Sequence, residues 1–189
     1  MKNAIILHGM PSKEEYFDET QEAPSNQHWL PWIQRRLLLK GILAQSIELP
    51  HPYEPKYEDH AAVFEQMRVS EDTILIGHSC GAGFLVRWLS ENQVRVGKVI
   101  LVAPWIDPGR EYAPDFFNFT INPHVPERTA GITIFNSDDD SDYIQDSVKL
   151  LTQAWPDAKL VEFSGKGHFC LVDMKTREFP ELETEIFLP

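Results

Sequence analysis

Short runs of apolar residues recur along the chain and alternate with longer segments of helical period. The runs cover residues 4–7, 42–49, 73–76, 98–103, 131–135 and 159–163. Several are apolar at consecutive positions, which is typical of parallel strands buried on both faces. Apolar residues at helical spacing between the runs predict helices over residues 29–39, 60–67, 81–90, 144–155 and 181–187.

This alternation predicts an α/β fold with about six mostly parallel strands and helices on both faces of the sheet. Ligands of such sheets bind beyond the carboxyl ends of the strands. The residues that directly follow the runs are therefore the first candidates for a functional site. They include His8, Gly9, Ser79, Trp105, Asp138, Asp139, Asp140 and His168.

Length and charge limit the classes of function. A chain of 189 residues is expected to form one domain over residues 1–189. Its formal net charge of −12 argues against binding to nucleic acid or to an anionic membrane surface. The apolar run near the N-terminus is too short for a signal peptide, and no run is long enough to span a membrane. Two cysteines, Cys80 and Cys170, are no disulfide framework and favour a cytoplasmic location.

Residues 104–130 have no clear period but contain several aromatic residues and prolines. A connection of this length without secondary structure of its own is usually functional or disordered, and the aromatic content argues against disorder. We interpret the segment as a lid or as a pocket wall over the strand ends. An ordinary packed connection is the alternative.

The segment Gly77-His78-Ser79-Cys80-Gly81 matches the G-x-S-x-G pattern and lies between a predicted strand and a predicted helix. In such a nucleophile elbow, glycines allow a strained turn that exposes the serine hydroxyl above the sheet. The start of the following helix adds partial positive charge where an oxyanion would form. Ser79 is therefore predicted to be a nucleophile.

A serine nucleophile needs a histidine base and a carboxylate that orients the histidine. His168 is the histidine that follows a late strand. The acid is left open among Asp138, Asp139 and Asp140, which follow the fifth run, and Asp107, which follows the fourth. The order Ser, Asp, His along the chain is that of the α/β-hydrolases.

An oxyanion needs backbone N–H donors. Cys80 follows the nucleophile and supplies the first candidate. Met10 supplies the second, since Pro11 has no N–H. Because they adjoin these motifs, the residues predicted to line the substrate pocket are His8, Gly9, His78 and Trp105.

These segments together resemble the small α/β-hydrolases of the YdeN and retinoblastoma-binding-protein type, also called the serine hydrolase family. The resemblance covers IILHG near the N-terminus, residues 26–41, ILIGHSCGA, KVILVAPW, IFNSDDD and GKGHF. Of these segments, HWLPW at residues 28–32 is the most specific to the family.

The resemblance implies a compact α/β-hydrolase fold with Ser79 as nucleophile, His168 as base and Asp140 as acid. Asp139 is kept as an alternative acid because the run of aspartates is longer than the family pattern. Two further departures are Tyr143, where the family usually has an aliphatic residue, and a longer loop at residues 11–25.

The expected function is hydrolysis of a small carboxylic ester or related acyl substrate through an acyl-enzyme, without metal or organic cofactor. An acyltransferase or peptidase with the same triad is a second hypothesis. A protein-binding module on a hydrolase scaffold is a third, although nothing in the sequence calls for a protein partner.

Overall fold

The computed structural model of the chain describes residues 2–188. Six strands form one sheet in which every neighbouring pair is parallel. The strands are β1 (Asn3–Leu7), β2 (Leu43–Ile47), β3 (Ile74–His78), β4 (Val99–Val102), β5 (Ile132–Ser137) and β6 (Lys159–Phe163). Their order across the sheet is β2-β1-β3-β4-β5-β6. The predicted fold class is confirmed.

Burial along the strands explains the apolar pattern. Every residue of β3, β4 and β5 is buried, as expected of strands covered on both faces. The edge strands β2 and β6 are partly exposed, and Leu43 in β2 is 50% exposed. Continuous apolar runs therefore mark the middle of the sheet, and mixed runs mark its edges.

Within residues 2–188, seven helices connect or follow the strands. They are α1 (Lys13–Phe17), α2 (Leu30–Leu39), α3 (Tyr57–Phe64), α4 (Cys80–Glu91), α5 (Asp142–Ala154), α6 (Leu171–Met174) and α7 (Pro180–Phe187). The five predicted helices correspond to α2, α3, α4, α5 and α7, with ends shifted by three residues at most. The short helices α1 and α6 bury no residue, so they carry no apolar period that the sequence could reveal.

The helices lie on both faces of the sheet. The connection from β1 to β2 runs across the sheet in the opposite direction to the connection from β3 to β4. Because parallel crossovers are right-handed, α2 and α4 lie on opposite faces. On the first face α2 packs against α7. On the other face Phe64 of α3 packs against Trp88 of α4, with ring centroids 4.8 Å apart.

The segment 104–130 connects β4 to β5 with one short 3₁₀ turn, Pro126–Arg128. Its aromatic residues Phe116 and Phe117 are almost fully buried. The Arg87 side chain in α4 donates hydrogen bonds to the main-chain carbonyls of Asp115 (2.9 Å) and Phe116 (2.7 Å). The middle of the segment is therefore packed firmly against α4. Its role as a lid or pocket wall stays a prediction.

The structure bears on two features considered in the sequence, membrane-spanning segments and the two cysteines. Within residues 2–188, no helix combines the length and the apolar character needed to cross a membrane. Cys80 is buried and Cys170 is partly buried, and neither forms a disulfide.

Candidate active site

The loops that follow β1, β3, β4, β5 and β6 all lie at the carboxyl-terminal ends of the strands, because the strands are parallel. These loops bring together residues that are far apart in the sequence. Ser79 follows β3, Asp140 follows β5, and His168 follows β6.

Ser79 lies on a strained turn between β3 and α4. Its backbone angles are φ 54° and ψ −121°, which an L-residue adopts only where the surrounding structure enforces it. A side chain at Gly77 would place its Cβ 2.5 Å from the Cα of Ala82, and one at Gly81 would place it 2.3 Å from the carbonyl oxygen of His8. The two glycines of G-x-S-x-G are thus required by close backbone approach.

Ser79, His168 and Asp140 are joined by two short hydrogen bonds. His168 Nε2 lies 2.8 Å from Ser79 Oγ, and His168 Nδ1 lies 2.7 Å from Asp140 Oδ2. A carboxylate only accepts, so the imidazole proton is on Nδ1 and Nε2 is free to accept the serine hydroxyl proton. The Asp140 side chain is 4% exposed and that of His168 is 31% exposed.

The neighbouring aspartates have other partners. Asp139 Oδ1 accepts hydrogen bonds from the Ser137 hydroxyl (2.5 Å) and from the main-chain N–H groups of Gly165 and Gly167 (both 3.1 Å). The Ser137 hydrogen bond, followed by those from the backbone, lowers the pKa of the Asp139 carboxyl. Asp139 therefore fastens the loop that carries His168 to the end of β5, and its contact with His168 is indirect.

Asp107, the other alternative acid, is 1% exposed. Its two oxygens accept hydrogen bonds from the main-chain N–H groups of Glu111 (3.1 Å), Tyr112 (3.0 Å) and Ala113 (2.8 Å). The carboxylate thus shapes the turn that presents Tyr112. Of the aspartates considered from the sequence, Asp140 is the one that the structure places against His168.

The two predicted oxyanion donors, Cys80 and Met10, both lie beside Ser79. Cys80 is the first residue of α4, so its N–H has no partner within the helix. Met10 lines the cavities on either side of Ser79. Among residues 2–188, neither N–H is paired with an acceptor. Burial raises the pKa of the Cys80 thiol, which keeps it protonated and unreactive.

His8 and His78, predicted as pocket residues, form hydrogen bonds from their rings to main-chain groups of the protein. His8 Nε2 accepts the N–H of Leu49 (3.0 Å), so its Nδ1–H donates to the carbonyl of Gly9 (2.7 Å). His78 Nε2 donates to the carbonyl of His168 (2.8 Å). Burial lowers the pKa of both histidines, which stay neutral. Both rings and Gly9 line a small cavity of about 170 Å³.

A larger, mostly apolar cavity of about 410 Å³ opens beside Ser79 and His168. Its walls are Met10, Trp105, Tyr112, Tyr143 and Ile144. Trp105 thus lies where the sequence predicted a pocket residue. Tyr112 belongs to the segment interpreted as a lid or pocket wall, and Tyr143 was noted as a departure from the family pattern, but neither was named as a pocket residue.

A second group of missed residues lies on the opposite side of Ser79. The small cavity also contacts Glu15, Gln27 and His28, and these three residues line an adjoining cavity of about 610 Å³ as well. His28 begins the HWLPW segment, which was the available signal. Within residues 2–188, no group of three or more His, Cys, Asp or Glu side chains is arranged to hold a metal ion.

Comparison with known proteins identifies the family of the chain. A profile of the serine hydrolase family matches residues 21–186. This chain belongs to the serine hydrolase family. The family resemblance seen in the sequence is thereby confirmed. YdeN of Bacillus subtilis (strain 168) is 34% identical over 96 residues, which are 49% of this chain and 50% of YdeN. The matched region thus spans about half of that relative.

Solved structures extend the likeness to nearly the whole chain. The crystal structure of the ydeN gene product from B. subtilis covers 98% of this chain and 97% of its own, with a TM-score of 0.82 and 26% identity. A YdeN-like protein from Pectobacterium atrosepticum covers 100% of this chain and 94% of its own, with a TM-score of 0.64. At 21% identity, that second match shows the fold alone.

Proposed function

We propose that this protein is a serine hydrolase that cleaves small carboxylic esters with an apolar acyl group through an acyl-enzyme intermediate. The observation that carries the proposal is the chain of hydrogen bonds from Ser79 Oγ to His168 Nε2 (2.8 Å) and from His168 Nδ1 to Asp140 Oδ2 (2.7 Å). It lies at the mouth of a cavity of about 410 Å³, which suits the acyl part of a small substrate.

In the first step, His168 Nε2 takes the proton of Ser79 while Ser79 Oγ attacks the ester carbonyl carbon. The carbonyl oxygen becomes an oxyanion, for which the N–H groups of Cys80 and Met10 are the proposed donors. The positive end of α4 adds to this stabilisation because Cys80 is its first residue. Asp140 holds the imidazole in the required tautomer and stabilises its charged form.

The intermediate then collapses. The bond between the carbonyl carbon and the leaving oxygen breaks, and His168 transfers its proton to that oxygen, so the alcohol departs. A water molecule next gives a proton to His168 Nε2 while its oxygen attacks the acyl carbon. The bond between that carbon and Ser79 Oγ then breaks and His168 returns the proton to Oγ, which releases the carboxylic acid and restores Ser79. The sequence of steps uses the chain's own residues and water.

Other features of the chain support a small neutral substrate. The cavity beside Ser79 is walled mainly by Trp105, Tyr112, Tyr143 and Ile144, so apolar contact is the main attraction for an acyl group. We also propose that the enzyme works in the cytoplasm, because its two cysteines are not joined to each other.

The direct test is labelling of the purified protein with a fluorescent fluorophosphonate, followed by a series of p-nitrophenyl esters of increasing acyl length. Wild-type protein should be labelled and Ser79→Ala should not. Ser141→Ala is the matched control, because Ser141 is a second hydroxyl in the same cavity and its side chain makes no cap hydrogen bond to α5. It should be labelled like the wild type.

Absence of labelling in folded wild-type protein would contradict the proposal and favour a binding module on a hydrolase scaffold. A labelled protein that transfers the acyl group to an added alcohol or amine faster than to water would instead be an acyltransferase. Cleavage of a peptide bond would indicate a peptidase.

A further inference from the structure

Ser79 and His168 stand between two cavities of different character. On one side is the apolar cavity lined by Trp105 and Tyr143. On the other side, the cavities of about 170 and 610 Å³ share Glu15, Gln27, His28 and Val172 and therefore adjoin each other. We refer to these two together as the polar cleft. Met10, Ser79 and His168 border both the apolar cavity and the polar cleft, so a substrate attacked by Ser79 can extend in both directions.

His28 supplies a fixed hydrogen-bond donor inside the polar cleft. Its Nδ1 accepts the main-chain N–H of Leu171 (3.2 Å), so the ring proton is on Nε2. Among the hydrogen bonds of residues 2–188, the His28 ring takes part through Nδ1, and none involves its Nε2. Burial, aided by the nearby His168, lowers the pKa of His28, so the ring is neutral at pH 7.

The backbone of His28 is also held in an unusual conformation. Its φ is 56°, in the left-handed region that non-glycine residues seldom occupy. Its ring lies edge-on to His78, with centroids 5.6 Å apart. Backbone strain of this kind persists where surrounding contacts fix a residue. The residue fixed here lines the cleft shared with Ser79.

The charges of the polar cleft indicate which kind of ligand it can bind. Glu15 and Glu22 contribute two carboxylates, whereas Arg177 contributes one guanidinium. That guanidinium is already paired with Glu22 and also donates to the carbonyl of Asn26 (3.3 Å). An anionic group would therefore meet net negative charge and no free cation among these residues. One Glu15 oxygen accepts the N–H of Ser12 (2.8 Å), and the Gln27 amide nitrogen donates to the carbonyl of Glu22 (2.8 Å). The other Glu15 oxygen and the Gln27 amide oxygen can accept from hydroxyl groups, and the N–H of His28 can donate to them.

On the basis of the proposed esterase function, we propose that the polar cleft is the leaving-group subsite and takes the neutral, polyhydroxylated alcohol of the ester, with His28 as a specificity-determining donor. The acyl group then lies in the apolar cavity. The bond from the carbonyl carbon to the alcohol oxygen breaks as Ser79 is acylated. The proton taken from Ser79 passes through His168 Nε2 to that oxygen, which lies on the cleft side.

Two esters with one acyl group test the subsite. Glycerol monobutyrate and n-propyl butyrate have the same acyl group and a three-carbon alcohol, and they differ in two hydroxyls. Wild-type enzyme should prefer the glycerol ester by about tenfold or more in kcat/KM, since a site built to bind hydroxyls discriminates against an analogue without them. His28→Ala should lower kcat/KM for the glycerol ester by roughly fivefold to tenfold and leave the propyl ester unchanged.

Two further variants control for folding and charge. His124→Ala removes an exposed histidine that is not among the residues lining the cleft, so kcat/KM should be unchanged for both esters. His28→Gln restores an N–H donor at this position and should recover part of the preference for the glycerol ester. Thermal melts establish that each variant is folded.

Equal kcat/KM values for the two esters in the wild type would contradict the proposed subsite. An equal loss of kcat/KM for both esters in His28→Ala would contradict it as well. Both results would leave the proposed hydrolase intact, because butyrate is still released. If neither ester is cleaved and the fluorophosphonate does not label Ser79, the proposed function fails and the subsite fails with it.

Discussion

His78 donates a 2.8 Å hydrogen bond from Nε2 to the main-chain carbonyl of His168. His78 ends β3 and directly precedes Ser79, so this bond ties the serine turn to the loop that carries the histidine. On its other side, the N–H of His168 donates to Asp173 Oδ2 (3.1 Å). Both peptide groups that flank the His168 side chain are thus held by buried or partly buried partners, which fixes the imidazole against Ser79.

Replacing His78 by alanine should therefore lower kcat by roughly 10- to 100-fold while KM changes little, because misplacement of a catalytic group by about 1 Å has effects of this size. His78→Gln, which retains a side-chain N–H donor, should recover part of the loss. Steady-state kinetics with p-nitrophenyl butyrate separate kcat from KM. A change confined to KM would contradict a positioning role for His78.

Asp140→Asn should reduce kcat by up to ~10⁴, because an amide that donates to Nδ1 would favour the wrong tautomer of His168. Asp139→Asn should cost tenfold or less, since the side chain keeps an oxygen for the Gly165 and Gly167 N–H groups. The two variants are matched in chemistry and adjacent in sequence. Burst and steady-state kinetics distinguish them, and a dead Asp139→Asn beside an active Asp140→Asn would reverse the assignment of the acid.

Tyr143 should limit the length of the acyl group. The hydroxyl of Tyr112 donates to that of Tyr143 (2.9 Å), and both rings line the apolar cavity. Tyr143→Leu opens this wall, so longer acyl chains should gain up to about fourfold in kcat/KM for each additional buried methylene. The measurement is kcat/KM for p-nitrophenyl acetate through octanoate.

Tyr112→Phe is the control for that experiment, because it removes the hydrogen bond between the two tyrosines and keeps the ring. Its chain-length profile should stay close to that of the wild type. An unchanged profile in Tyr143→Leu would show that the acyl group does not reach this part of the cavity.

The stability of the fold should fall as the solution is acidified below about pH 6.5. Burial lowers the pKa of His8, His28 and His78, and it lowers the pKa of His60 to about 4. Below pH 6.5 the unfolded chain takes up protons at these histidines while the folded chain resists them. The free energy of unfolding should therefore decrease from pH 6.5 toward pH 4, by at most about 1.4 kcal/mol per pH unit for each histidine.

Urea denaturation at several pH values between 7.5 and 4.5 measures this dependence. His60 donates from Nε2 to the carbonyl of Pro50 (3.0 Å), and His60→Gln keeps a donor without a titrating group. The variant should show a shallower pH dependence than the wild type. His124→Gln, at an exposed position, should follow the wild-type curve, and a His60→Gln curve parallel to the wild type would contradict the explanation.

Much of the fold could be predicted because its strands are buried on both faces. Consecutive apolar residues in β3 and β4 have no other simple explanation, and the turn at Gly77–Gly81 needs glycines that the sequence shows directly. The position of Ser79 and that of His168 followed from the rule that parallel strands end at one edge.

The details that escaped prediction depend on contacts between distant loops. Periodicity could not decide among Asp138, Asp139 and Asp140, because the choice depends on which carboxylate the turn after β5 directs toward β6. Likewise, His28 becomes a cleft residue only when Leu171, 143 positions away, donates to its ring. Helix α1 buries no side chain, so it has no apolar period from which the sequence could predict it. In the structure its N-terminus is capped by Ser12 and Glu15, which form a capping box.

Apart from Met10, Ser79 and His168, which border both, the two sides of the site are built from separate stretches of chain. Trp105, Tyr112 and Tyr143, which wall the apolar cavity, come from the segments after β4 and β5, whereas Glu15, His28 and Arg177 come from the loop after β1 and from the C-terminal region. The sheet and the Ser79 turn are common to both. Under the proposed function, each wall can therefore be exchanged with little effect on the other, so enzymes on this scaffold could acquire new acids and new alcohols independently.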